Sequence, residues 1–108
     1  LKVDVIRDRG MPRIMEDGSV VNVYRLQVMN TEETPHRYKI EVDGIHGAQI
    51  VTDDKFTVAA ASMATVPVRV RVDEAHAEPG SNKITFTVED HDDESVSVTE
   101  KAVFLIPR

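Results

Sequence analysis

The chain has 108 residues, the size of one domain, with 41% hydrophobic and 30% charged residues, as expected of a globular protein and not of a disordered one. A net charge of −6 argues against nucleic acid as a partner, and the lack of cysteine excludes a disulfide framework, a thiol nucleophile and any Cys-ligated zinc or iron–sulfur centre within the chain. No apolar run approaches the roughly 18–20 residues of a membrane span.

The first segment, Leu1 to Ile6, reads as a short strand with Val3 and Val5 on one face. A chain that enters a strand so directly suggests a single domain, residues 1–108, excised from something longer. Arg7-Asp8-Arg9-Gly10-Met11-Pro12 breaks the strand into a loop, because Gly and Pro punctuate regular structure. Ile14 and Met15 suggest a brief edge strand, and Asp17-Gly18 a turn. From Val20 to Met29 the residues alternate: Tyr24, Leu26 and Val28 on one face, Arg25 and Gln27 on the other. That period of two marks a half-buried strand, expected to be the inner one on which the others pair and pack. Asn22 and Asn30 share its apolar register, where a polar side chain can bond the backbone of a neighbouring loop.

A polar turn, Asn30 to Pro35, leads to the cleanest alternation in the chain, Arg37 to Asp43, with Tyr38, Ile40 and Val42 inward. Asp43-Gly44 and Gly47 bracket a turn. Ala48–Val51 and Lys55–Val58 are short strands expected at a sheet edge. Ala59 to Ser62 is too short for a stable helix and reads as a connector. Met63 to Val72 is a strand with four valines on one face and Pro67, Arg69 and Arg71 on the other; Pro67 requires an edge or a bulge on its nitrogen side. After a loop from Asp73 to Asn82, Lys83 to Glu89 turns Ile84, Phe86 and Val88 inward. The charged turn Asp90 to Glu94 precedes a last strand, Ser95 to Ile106. There Glu100 breaks the apolar register, which suggests a bulge or an exposed middle, and Val103 and Leu105 suggest an end covered on both sides.

About seven short strands without a convincing helix indicate an all-β fold, an immunoglobulin-like two-sheet antiparallel sandwich. Its core is expected to hold Tyr24, Leu26, Val28, Tyr38, Ile40, Val42, Val66, Val68, Val70, Ile84, Phe86, Val88 and Phe104.

Val5-Ile6-Arg7-Asp8-Arg9, together with the Asp17-Gly18 turn running into Asn22-x-Tyr24-x-Leu26-x-Val28-x-Asn30, resembles the C-terminal domain of the FixG family. These are the membrane-bound cytochrome c oxidase accessory proteins also called CcoG or Rdx. Tyr38 to Gly44 and the later valine-rich strand fit the same pattern, whereas Gly10 and Thr31 depart from it. The resemblance implies a parent with several membrane spans and 4Fe-4S clusters, which supports assembly of the cbb-type oxidase through electron and copper handling. It further implies that this domain is the C-terminal, periplasmic part of an inner-membrane protein, and that its partners are the parent's membrane region or oxidase assembly proteins.

No catalytic, cofactor or metal site emerges from the residues. No nucleophile elbow or metal-ligand spacing is present, and no small-molecule substrate is indicated. His91 among Asp90, Asp92, Asp93 and Glu94 would suit a cation, but a solvated hairpin turn is the preferred reading. Met11 and Met15, with Met29 and Met63, would suit copper(I), but packing explains them better. His36, His46 and His76 read as separate surface residues. The one candidate site is a docking loop, Arg7, Asp8 and Arg9. The first 13 residues carry Lys2, Arg7, Arg9 and Arg13 against Asp4 and Asp8, so a basic collar precedes an acidic body. The collar is expected at the membrane-proximal end, facing phosphate head groups or an acidic partner loop; the other reading is that the arginines merely brace the loop. Two functions follow: a non-catalytic module that positions a FixG-type redox parent, or a free-standing extracytoplasmic binding module such as an adhesin-like or carbohydrate-binding sandwich.

Overall fold

The computed structural model describes residues 1–8, 10 and 12–107. In chain order the strands are β1 (Lys2–Arg7), β2 (Arg13–Ile14), β3 (Ser19–Met29), β4 (His36–Asp43), β5 (Gln49–Ile50), β6 (Lys55–Val58), β7 (Met63–Asp73), β8 (Gly80–Asp90) and β9 (Asp93–Ile106). One sheet has the order β1-β3-β7-β5, with β2 also on β3; the other has the order β6-β4-β8-β9. All pairings are antiparallel. The short edge strands expected at Ile14-Met15 and Ala48–Val51 are present as β2 and β5, each of two residues. The only helical element among the described residues is a 3₁₀ turn, Glu74–His76, where the Asp73 carboxylate accepts from the Ala75 N–H at 3.0 Å. No helix among them is long and apolar enough to cross a membrane.

β3 is central, as its alternation predicts. It pairs with β7 along its whole length and with β1 and β2 end to end along its other edge. Tyr24, Leu26 and Val28 are fully buried and meet Ile40, Phe86 and Phe104 of the opposite sheet in one core. The Tyr24 ring meets the Phe86 ring edge-on at 5.0 Å. Val20, Val58, Val72 and Ile106 are buried as well. Val42 and Val66, expected inside, are only half-buried. The cause is the shortness of the edge strands: β6 covers β4 only from His36 to Lys39, and β5 reaches β7 only at Val70 and Arg71.

The same shortness accommodates Pro67. The backbone of Arg69 faces β5, since its carbonyl accepts from the Val51 N–H at 2.9 Å. By alternation the Pro67 nitrogen faces that side too, beyond the end of β5, so no ladder bond is lost.

Three boundaries differ from expectation. β8 begins at Gly80, inside the expected loop, because β9 continues to Ile106 and gives Gly80 to Asn82 partners. The register shift lies at Glu89/Asp90, beside the hairpin turn, while Glu100 pairs regularly with Phe86 and is half-exposed. Val103 is exposed, so the last turn of β9 is not covered on both sides as expected.

The two asparagines close the sandwich. Asn22 joins the sheets: its Nδ2 donates to the Leu105 carbonyl at 3.0 Å and its Oδ1 accepts the Leu105 N–H at 2.9 Å. The expected partner was a loop; the actual one is the backbone of β9. Beside it the Tyr24 hydroxyl donates to the Val103 carbonyl at 2.7 Å, and burial pushes its pKa far above the ordinary phenol range. Asn30 does meet loops, donating to the carbonyls of Thr34, Val58 and Ala59 and accepting from the Glu32 N–H.

Candidate docking cleft

β1 and β2 lie along one edge of β3, and the chain between them passes beside the middle of that strand. There the Asp8 N–H donates to the Val23 carbonyl at 2.8 Å, and Arg7 Nη1 donates to the Asp8 carbonyl at 3.2 Å. Arg9, with Met11, lies outside the described residues. Arg7 and Asp8 do not stand alone. They form one wall of a cleft of about 380 Å³ on the outer face of the β1-β3-β7-β5 sheet. Val21 and Val23 of β3 and Arg69 and Arg71 of β7 make its floor, with Val51, Arg13 and Met15 around it.

The charges in the cleft are unequally satisfied. Arg71 is held: its guanidinium pairs with the Asp17 carboxylate, and its Nε donates to Ser19 Oγ at 3.0 Å. Asp17 accepts from the Ser19 hydroxyl at 2.6 Å and from the Ser19 N–H at 3.0 Å. These bonds, with the Arg71 charge, hold its carboxyl below the usual carboxylate range. The guanidinium groups of Arg13 and Arg69 have no ion pair among the described residues. The lining thus sets four arginines against one aspartate, Asp8, in a chain of net charge −6. Val23, Met15 and Val51 are exposed within it.

The loop is not at the end of the molecule where Leu1 lies. The Leu1 nitrogen donates to Thr31 Oγ1, beside the turn after β3. Arg7 is six residues further on, about 20 Å along an extended strand at ~3.3 Å per residue. The charged hairpin turn is at the Leu1 end instead, since Asp90 pairs with Tyr38 and its carboxylate reaches His36 Nδ1 at 2.7 Å.

The remaining candidate residues are placed as follows. Asp90 is buried, and its Oδ1 accepts from the Asp92 N–H, while Asp93 accepts from the Ser95 hydroxyl and N–H. His91 lies 3.5 Å from Asp92, and no three His, Asp or Glu side chains converge for a metal among the described residues. Met29 and Met63 face each other in register at one end of the sheet, whereas Met15 lies in the cleft. His46 and His76 are not separate: their rings meet edge-on at 5.1 Å.

The family described as the IG-like fold at the C-terminal of FixG matches residues 1–107. The chain belongs to the FixG C-terminal domain family. The sandwich is therefore immunoglobulin-like in the sense of that family. A FixG-related protein from Vibrio parahaemolyticus has the same fold: 22% identity over 96% of this chain and 94% of that one, with a TM-score of 0.84. A protein from Archaeoglobus fulgidus aligns over 100% of this chain and 98% of its own, at 19% identity and a TM-score of 0.49. No curated protein matches the sequence.

Proposed function

We propose that this FixG C-terminal domain is a non-catalytic module that positions a membrane-bound FixG-type iron–sulfur protein against its partners during assembly of a cbb-type cytochrome c oxidase. The domain itself takes no cofactor. The 4Fe-4S clusters and any handling of electrons or copper belong to the rest of the parent, because this chain has no cysteine to hold a cluster. We assign it to the periplasmic face of the inner membrane, with oxidase assembly proteins or the parent's own membrane region as partners. The observation that carries the reading is the cleft. Arg7, Arg13 and Arg69 gather around exposed valines, a lining suited to holding a charged partner. The family match favours this reading over a free-standing binding module.

The test uses the full-length parent in intact cells. Ser97, exposed on β9, is replaced by Cys and treated with a membrane-impermeant maleimide. Labelling without breaching the inner membrane is the expected result; labelling only after breaching it would refute the periplasmic placement. Arg7→Ala with Arg9→Ala is expected to impair oxidase assembly while the isolated chain keeps its melting temperature. Unfolding of that double variant would show that the arginines only brace the loop.

A further inference from the structure

We propose that the cleft binds an acidic peptide segment of a partner protein, with a carboxylate on Arg13 and Arg69 and an apolar side chain on Val21, Val23 and Val51. This rests on the reading of the domain as a docking module and names what docks.

Charge complementarity selects the ligand. The cleft concentrates four arginines in a chain whose net charge is −6, and among the described residues the only acidic one in its lining is Asp8. Asp17 neutralises Arg71 and anchors it over Ser19, so that side chain is a fixed post. The exposed Arg13 and Arg69 have no acidic partner among the described residues. Planar guanidinium groups suit the two oxygens of a carboxylate. The floor selects for more than charge. Val21 and Val23 lie on the outward face of a strand whose inward face already fills the core, and Val23, Val51 and Met15 remain exposed. An apolar side chain between carboxylates would cover them.

A lipid surface fits less well. The cleft is recessed in the flank of the sheet rather than at a tip. The end that holds Leu1 carries Glu32, Glu33, Asp92, Asp93 and Glu94, all exposed, which an anionic bilayer would repel. A peptide strand can reach the flank without bringing that acidic end to the membrane.

The probe is a synthetic acetyl-Asp-Leu-Glu-Leu-Asp-amide, titrated into the isotopically labelled 108-residue chain and followed by NMR. Its Asn-Leu-Gln-Leu-Asn counterpart and vesicles of equal parts phosphatidylglycerol and phosphatidylethanolamine serve as comparisons. Saturable shifts at the Val21, Val23 and Val51 methyls and at Arg69 Nε–H are expected with the acidic peptide and not with the neutral one. Arg13→Gln with Arg69→Gln should weaken binding about tenfold. Arg37→Gln, on the other sheet, should leave it unchanged. Salt raised from about 0.05 to about 0.5 M should weaken it. Absence of saturation, equal binding of the neutral peptide, or vesicle binding through the same residues would overturn the assignment. The Arg13/Arg69 double variant in the full-length parent separates the two levels. Failed oxidase assembly with a silent peptide would keep the docking role and refute the acidic peptide, whereas normal assembly would refute docking at this cleft.

Discussion

Two side chains carry charge and hydrogen-bond arguments that can be read singly. Asn22 is 3% exposed and satisfies both backbone groups of Leu105 at once. Asn22→Leu would strand the partly buried N–H and carbonyl of Leu105, and a loss of roughly 1–3 kcal/mol is expected in urea denaturation, since an unpaired buried group costs ~1–3 kcal/mol and this pair is only partly buried. A loss below about 0.5 kcal/mol, the range of surface changes, would contradict the clasp. Asp17 concerns pH. Its folded pKa is lowered first by the Ser19 hydroxyl bond, then by the Ser19 N–H, against a smaller upward push from desolvation. A depressed carboxyl stabilises the fold above its unfolded pKa, and that contribution disappears as pH falls through the folded value. A ¹³C carboxyl titration should find Asp17 below the ordinary aspartate range, and Ser19→Ala should move it back up. An ordinary midpoint in the unchanged chain would refute the bonding pattern. Both residues were visible in the sequence, Asn22 by its register and Asp17 by its Asp-Gly turn. Their distant partners were not, because Leu105 and Arg71 lie 83 and 54 residues away, whereas Ser19 is two residues from Asp17.

Among the elements, every strand was legible, the short β2, β5 and β6 included, while the extents of some were not. β3 follows its alternation closely because it buries one face along a full ladder with β7. The ends of β8 and the half-buried states of Val42 and Val66 depend on how far a neighbouring strand extends, which alternation within one segment does not encode. The cleft was legible in part for the same reason. Arg7 and Asp8 were found, but Arg13, Arg69, Arg71 and Val51 join them only through pairing across the sheet. One signal was present: Val21 and Val23 are apolar on the face that Arg25 and Gln27 mark as outward, more than a half-buried strand requires. The turn after β4 gives an element-level prediction. Gly44 has φ +113°, and a Cβ built there would stand 2.7 Å from the Lys83 carbonyl oxygen of β8. Gly44→Ala must push β4 and β8 apart besides straining the backbone, so a loss of about 2 kcal/mol or more is expected in thermal denaturation. An unchanged melting temperature would contradict that close approach.

At the scale of the molecule, the body measures 46 × 24 × 20 Å, and the two termini sit at opposite ends of the sandwich. Leu1 lies beside Thr31, and Ile106 pairs with Gly80. This placement has a mechanical consequence. A pull between the termini runs along the strand axes. It loads the six registered pairs of β1 with β3 together, and the long β8–β9 ladder together, in shear. Peeling would break such ladders one pair at a time; shear must break many at once. The bonds from Asn22 and Tyr24 to β9 tie the two loaded strands through β3 across the core. A domain threaded this way transmits tension along its length with little extension.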